Sequence, residues 1–249
     1  MFTDVQGAWP THERFILTSC DDRYFEQYFP RFYKTYSEHW KLPIHVHIID
    51  PSQTSRYRLD RLPVSYTHCT TDKSVLKFPY SYETYCQAQR FILLGHNLLA
   101  NQSVIVADVD SYALREPNET QKHTVESDMA FTQYNGRLMA TFCNFHHGRR
   151  IPAKEAATEM QRLIEDTDTI GVDQLVLKQT FKALPYNDLT HGEWIRHLDV
   201  KTDADLQQHN QCLIYHEKGT RGKIKTVETT WTDIEKVPLS VARQGPPLK

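Results

Sequence analysis

Val104-Ile-Val-Ala-Asp-Val-Asp110 is the stretch on which the reading of this chain turns. Four apolar residues form a short run with the character of a buried strand, and carboxylates at i and i+2 follow it without a break. Open α/β sheets gather their ligands at the carboxyl ends of their strands, so Asp108 and Asp110 stand at a binding edge. Hard oxygen ligands in that position suit Mg²⁺ or Mn²⁺, either of which bridges to a diphosphate. The Asp-x-Asp pattern recurs at Asp166-Thr-Asp168 and Asp203-Ala-Asp205, but only the first copy follows a strand pattern.

Outward from this stretch the chain reads as alternating strands and helices. Before it, Tyr82 to Leu99 carries an apolar stripe at Tyr85, Ala88, Ile92 and Leu99, which predicts a helix. Nearer the N-terminus, Phe15 to Ser19 reads as a buried strand and His45 to Ile49 as a second one. Between them, Tyr24 to His39 spaces its aromatics helically, with an interruption at Pro30. Strand, helix, strand predicts a βαβ unit and a parallel sheet. The segment between Ile49 and Tyr82 reads as a polar connection. After Asp110 come a strand at Met129 to Tyr134, an apolar run at Leu138 to Phe142, and helices at Ala153 to Glu165 and Val172 to Phe181. A short strand at Cys212 to Tyr215 then ends on His216. The fold class is therefore α/β. No repeat, linker or compositional step divides residues 1–249, which read as one domain, and Pro238, Pro246 and Pro247 mark 237–249 as a loose tail.

Composition narrows the function classes. At 249 residues, with 39% apolar and 24% charged residues, the chain has the make-up of a soluble globular protein. With 29 basic against 31 acidic side chains it lacks the basic excess of a nucleic-acid binder. The 5 cysteines are widely spaced with no CxxC pair, which argues for free thiols in a reducing compartment. Residues 1–10 lack the basic and apolar regions of a signal peptide, and no stretch approaches the ~20 apolar residues of a spanning helix. The expected location is cytoplasmic, with the sequons at Asn101 and Asn118 idle.

Four segments in order carry a family resemblance. Tyr85-Cys-Gln-Ala-Gln-Arg-Phe-Ile-Leu-Leu94 with Val104 to Asp110 resembles the helix, strand and DxD passage of glycosyltransferases of the GT-A fold. The likeness is strongest to the branch that includes glycogenin and the bacterial lipopolysaccharide galactosyl- and glucosyltransferases. Phe142-Cys-Asn-Phe-His-His-Gly148 resembles that branch's asparagine-bearing segment facing the donor sugar, although Gly148 lies further from Asn144 than the family's Asn-x-Gly spacing. Gly171-Val-Asp-Gln174 resembles its acceptor-side helix start. Ile214-Tyr-His-Glu-Lys-Gly-Thr-Arg-Gly-Lys223 resembles its C-terminal His-x-x-Gly-x-x-Lys element, with one additional residue before Lys223.

The resemblance implies a mostly parallel, mixed central sheet flanked by helices. It implies a metal site of Asp108, Asp110 and His216 holding Mn²⁺ or Mg²⁺, and imidazole suits Mn²⁺ as a third ligand. Donor contacts are implied at Arg90, Asp108, Val109, Asn144, Gln174, Lys218, Gly219 and Lys223. Which of Lys218, Arg221 and Lys223 meets the diphosphate is left open. Fold analogy adds Thr18, Asp21 and Asp50 near the nucleoside, where turn and capping roles are the alternative. Asp173 is the candidate catalytic residue. With inversion it takes the acceptor proton; with retention, which the resemblance suggests, the leaving phosphate accepts that proton and Asp173 orients the sugar or acceptor.

The expected activity is metal-dependent transfer of a hexosyl group from a nucleotide diphosphate sugar, a UDP-sugar in particular. A small or chain-end hydroxyl is the expected acceptor. Haloacid-dehalogenase-type phosphatases also place Asp-x-Asp after a strand, but they call for Thr or Val where this chain has Tyr112. Nucleotidyltransferases need a glycine-rich phosphate loop, and Phe15 to Tyr24 contains no glycine. A non-catalytic nucleotide-sugar-binding module is the remaining alternative.

Overall fold

The structure is a computed structural model and describes residues 5–72, 74, 77–78, 80–127, 129–134, 137–190, 194–197, 212–216 and 229–235. The expected tail, 237–249, lies outside the described residues. Strands β1 (Gln6–Gly7), β2 (Arg14–Asp21), β3 (Ile44–Ile49), β4 (Ser65–Cys69) and β5 (Ser103–Ala107) alternate with helices α1 (Asp22–His39), α2 (Gln53–Arg61) and α3 (Ser81–Asn97). They continue into β6 (Ser111–Ala113), α4 (Glu119–Ser127), β7 (Ala130–Tyr134), β8 (Arg137–His146), α5 (Arg150–Asp166) and α6 (Val172–Phe181). Short elements β9 (Asn187–Asp188), β10 (Ile195–His197), β11 (Ile214–His216) and α7 (Trp231–Glu235) follow.

The described strands of the main sheet run in the order β1-β4-β3-β2-β5-β8-β7-β9. Strands β4, β3, β2 and β5 are parallel, whereas β8 pairs antiparallel with β5. Near-continuous apolar runs in β2, β3 and β5 are what a strand covered on both faces requires. Alternation then divides the core. Phe15, Leu17 and Val106 pack beneath α3, α5 and α6, while Ile16, Val46 and Ile105 pack beneath α1. Helices α3 and α5 approach so closely at Gly95 that a Cβ there would lie 2.4 Å from Ala153 O.

Pro30 does not interrupt α1. Its missing N–H leaves the Glu26 carbonyl without a helical donor, and the Trp231 indole Nε1 donates to that oxygen at 3.1 Å. Arg58 of α2 lies over the Trp231 ring and pairs with the Glu26 carboxylate, so α7 and α2 together close the defect.

The segment read as a polar connection contains α2 and β4. Ser52 caps α2 by accepting from Ser55 N at 3.1 Å. β4 buries Thr67 and Cys69 through polar pairing. His45 lies 2.9 Å from Ser65 Oγ and 3.1 Å from Thr67 Oγ1, and His47 lies 2.9 Å from Thr67 Oγ1 and 3.4 Å from Cys69 Sγ. Burial pushes the pKa of each imidazole down to about 3, so both are neutral. A second sheet, β10-β11-β6, folds the C-terminal part of the chain over the end of β5. Among the described residues no helix is long and apolar enough to cross a membrane.

Candidate active site

After β2 the chain builds β3 and β4 on one side of the sheet, then returns to place β5 on the other side of β2. Sheets that reverse strand order in this way open a crevice at the carboxyl ends of the two strands flanking the switch. A cavity of about 1010 Å³ lies there, walled by the end of β2, the first turn of α1, α3, the turn after β5, and the start of α6.

Asp108 and Asp110 sit in the turn that joins β5 to β6. Asp108 N donates to Thr141 O at 2.8 Å, and Ser111 N closes the turn on Asp108 O at 3.0 Å. Antiparallel pairing of β11 with β6 puts His216 opposite Ser111. His216 Nε2 thereby lies 3.3 Å from Asp108 Oδ2 and 3.2 Å from Asp110 Oδ1. One ligand atom from each of the three residues falls within 4.8 Å of the others. Two carboxylates and an imidazole are a donor set suited to Mn²⁺ or Mg²⁺. Burial works against a charged His216, but Asp110 and Asp108 outweigh it and push its pKa up to about 10. The imidazolium proton therefore occupies the position a cation would take, and metal binding must release it.

Arg90, only 4% exposed, reaches the same cluster from α3. Its Nη2 lies 2.6 Å from Asp108 Oδ1 and 3.6 Å from Asp173 Oδ2, and donates to Ala140 O at 3.3 Å. Burial raises the Asp108 pKa, but Arg90 and His216 more than reverse this and hold it at about 2. Asp173 shows the opposite balance. Burial pushes its pKa up to about 6, with Arg90 opposing and Asp108 adding to the rise. Gly171 starts α6 at φ +80°, a left-handed conformation that glycine adopts without strain. Asp173 enters the first turn from there, accepting from Gln174 N at 2.8 Å.

The other expected contacts divide. Val109, Gln174 and Asp21 line the cavity, although the Asp21 carboxylate also caps α1 by accepting from Tyr24 N at 2.8 Å. Asp50 stands behind the wall at φ +52°, accepting from Thr71 N at 2.6 Å and from the cavity-lining Tyr82 hydroxyl at 3.1 Å. Thr18 is fully buried in β2 and is not part of the cavity wall. Asn144 does not reach the cavity either. β8 runs antiparallel to β5, so Asn144 pairs with Ile105 and accepts from Ser103 Oγ at 3.2 Å, while Met139, Ala140 and Thr141 form the wall. Lys218, Gly219, Arg221 and Lys223 lie outside the described residues. Arg23, Tyr24, Tyr82 and Gln87 line the cavity and were not anticipated. For Arg23 and Tyr24 the available signal was their place in the first turn after an aspartate-capped strand end.

Neither the protein-family profiles nor the curated proteins compared with this chain give a match. Solved structures do. The galactosyltransferase LgtC, in complex with donor and acceptor sugar analogues, superposes with a TM-score of 0.56 at 11% identity, covering 83% of this chain and 87% of that one. The apo structure of the bifunctional glycosyltransferase WbbM gives a TM-score of 0.57 at 14% identity over 86% of this chain and 47% of that protein, about half its length. The mixed sheet and its flanking helices are thus those of the GT-A glycosyltransferase fold.

Proposed function

We propose that this chain is a metal-dependent glycosyltransferase that moves a sugar from a nucleotide diphosphate sugar, a UDP-sugar in particular, to an acceptor hydroxyl. The observation that carries the reading is the convergence of Asp108, Asp110 and His216 within 4.8 Å beside a cavity of about 1010 Å³. Sites for small molecules and cofactors span roughly 300–1,000 Å³, so the space is at the size a nucleotide sugar needs. Asp108, Asp110 and His216 would hold Mn²⁺ or Mg²⁺. The cation, when bound, neutralises charge that builds on the leaving diphosphate.

The chain's own residues do the rest. Arg90 fixes the Asp108 carboxylate by ion pairing, and His216 gives up its proton to become a ligand. Lys218, Arg221 and Lys223, which follow His216 closely in sequence, supply further cations for the diphosphate. Asp173 faces the cavity but is only 4% exposed and is shared with Arg90. A carboxylate held in this way suits orienting the sugar or acceptor hydroxyls, which is the retaining route. The expected results are a product with the donor's anomeric configuration and an Asp173→Asn variant with measurable residual transfer. An inverted product, no residual transfer and a kcat limb rising through about pH 6 would make Asp173 the base instead.

Thermal shift with a panel of nucleotide sugars, each with and without Mn²⁺, tests the proposal. At about 100 times its Kd the true donor adds about 2.7 kcal/mol, which is roughly 5–10 °C for a domain of this size. That shift should depend on Mn²⁺, and no metal-linked shift with any donor would count against the reading.

A further inference from the structure

Behind the carboxylate turn runs a chain of hydrogen bonds that none of the site residues accounts for. Ser111 Oγ donates to Asp108 O at 2.6 Å, on the same oxygen that accepts from Ser111 N. Tyr36 OH of α1 lies 3.0 Å from Ser111 Oγ. A serine hydroxyl has one hydrogen, and here it is used on Asp108, so Tyr36 must be the donor. The order is therefore Tyr36 O–H to Ser111 O–H to Asp108 C=O. Tyr36 is 0% exposed and Ser111 1%. Burial raises the Tyr36 pKa far above the ordinary phenol value, only partly offset by Ser111, which keeps the donor protonated at any working pH.

Register gives this chain a second arm. Ser111 is the β6 residue paired with His216 of β11. One buried serine thus touches the backbone that aims Asp108 and Asp110, and its strand partner is the third member of the cluster. Nearby contacts brace the same strand against α1. Ala113 N donates to Thr35 Oγ1 at 3.2 Å, and the Arg31 guanidinium lies 3.5 Å from the Tyr112 ring centroid. Arg31 and Thr35 lie one turn apart on α1, and Tyr36 is the next residue.

We infer that Tyr36, acting through Ser111, is a positioning residue that sets the geometry of the Asp108–Asp110–His216 metal site. The inference rests on the proposed metal-dependent function. Groups of this kind, which orient ligands without touching the ion, alter metal affinity by 10–100-fold when removed.

The test compares Mn²⁺ binding to wild type, Tyr36→Phe, Ser111→Ala and Tyr33→Phe by electron paramagnetic resonance. Tyr33→Phe is a matched control that removes a phenol from the same helix, one whose partner is Ser37. The expected result is Mn²⁺ affinity about tenfold weaker in Tyr36→Phe and Ser111→Ala, with altered zero-field splitting of the bound ion. Tyr33→Phe should match wild type, and all four should show similar folded-state circular dichroism. Should wild type bind Mn²⁺ and Tyr36→Phe bind it equally well with the same spectrum, the inference is overturned and the proposed function stands. Should the wild type bind no Mn²⁺, both are overturned.

Discussion

Arg90→Ala is expected to lower folding stability by about 3–5 kcal/mol, the range seen when one partner of a buried ion pair is removed. Arg90 is the cation between Asp108 and Asp173, and its Nη2 also serves Ala140 O. Its loss leaves two carboxylates at the end of the sheet with, among the described residues, only His216 opposite Asp108. Asp173, already pushed up to about 6, then becomes still harder to ionise. Thermal unfolding should fall by roughly 10 °C. Arg90→Lys should recover only part of the loss, because an ammonium lacks the planar fork that spans separated acceptors. A fall of less than about 1 kcal/mol would show that the ion pairs do not hold this end of the sheet.

A second large effect is loss of stability in mild acid. His45 and His47 are neutral in the fold, with pKa values of about 3, against 6.5 when unfolded. Below pH 6.5 the unfolded chain takes up protons that the folded chain refuses, so this stability is present above 6.5 and is lost as pH falls toward 3. At pH 5 each histidine costs about 2 kcal/mol, roughly 4 together. Two groups oppose the loss. Asp173 (about 6) takes up a proton in the folded state before it does so in the unfolded state, and His216 (about 10) is already charged in the fold. Together they return about 3 kcal/mol. Urea unfolding at pH 7.5 and 5.0 should therefore show a net loss near 1 kcal/mol. Imidazole resonances of the folded protein at His45 and His47 should not titrate over that range. Equal stability at both pH values, with both imidazoles titrating near 6.5, would contradict the assignment.

These histidines also show where reading the chain from its sequence reached its limit. Strands β2, β3 and β5 declare themselves through apolar runs because both their faces are covered. β4, Ser65–Cys69, buries Thr67 and Cys69 against His47, so it carries no apolar alternation to detect. α2 buries only Ser55 and Leu59 and looks like a loop for the same reason. Pro30 suggested a break because the compensating donor, Trp231, lies 205 residues from the Glu26 carbonyl it serves. β8 was seen only from Leu138 to Phe142, since Asn144 punctuates its apolar pattern.

The site divides in the same way. Asp108 and Asp110 were legible because strand, spacing and carboxylates are contiguous. His216 and Asp173 stood out through motif order, and the fold then brought both to Asp108, directly for His216 and through Arg90 for Asp173. Asn144 lies away from the cavity wall because its depth along β8 depends on register with β5, which no local pattern records. Arg23 and Tyr24 reach the cavity only because β2 and β5 are neighbours across the switch point. The Tyr36–Ser111–Asp108 relay likewise joins α1 to a turn 75 residues away and could not be read from the sequence.

The most direct test of the central claim is release of nucleoside diphosphate from a UDP-sugar by wild type and Asp110→Asn, with Mn²⁺ present and after chelation. The proposed function predicts release by wild type only when the metal is present, and a fall of about a hundred- to a thousandfold in the variant, a loss comparable to removing a key charge-stabilising group. Equal turnover after chelation, or equal turnover by Asp110→Asn, would contradict it.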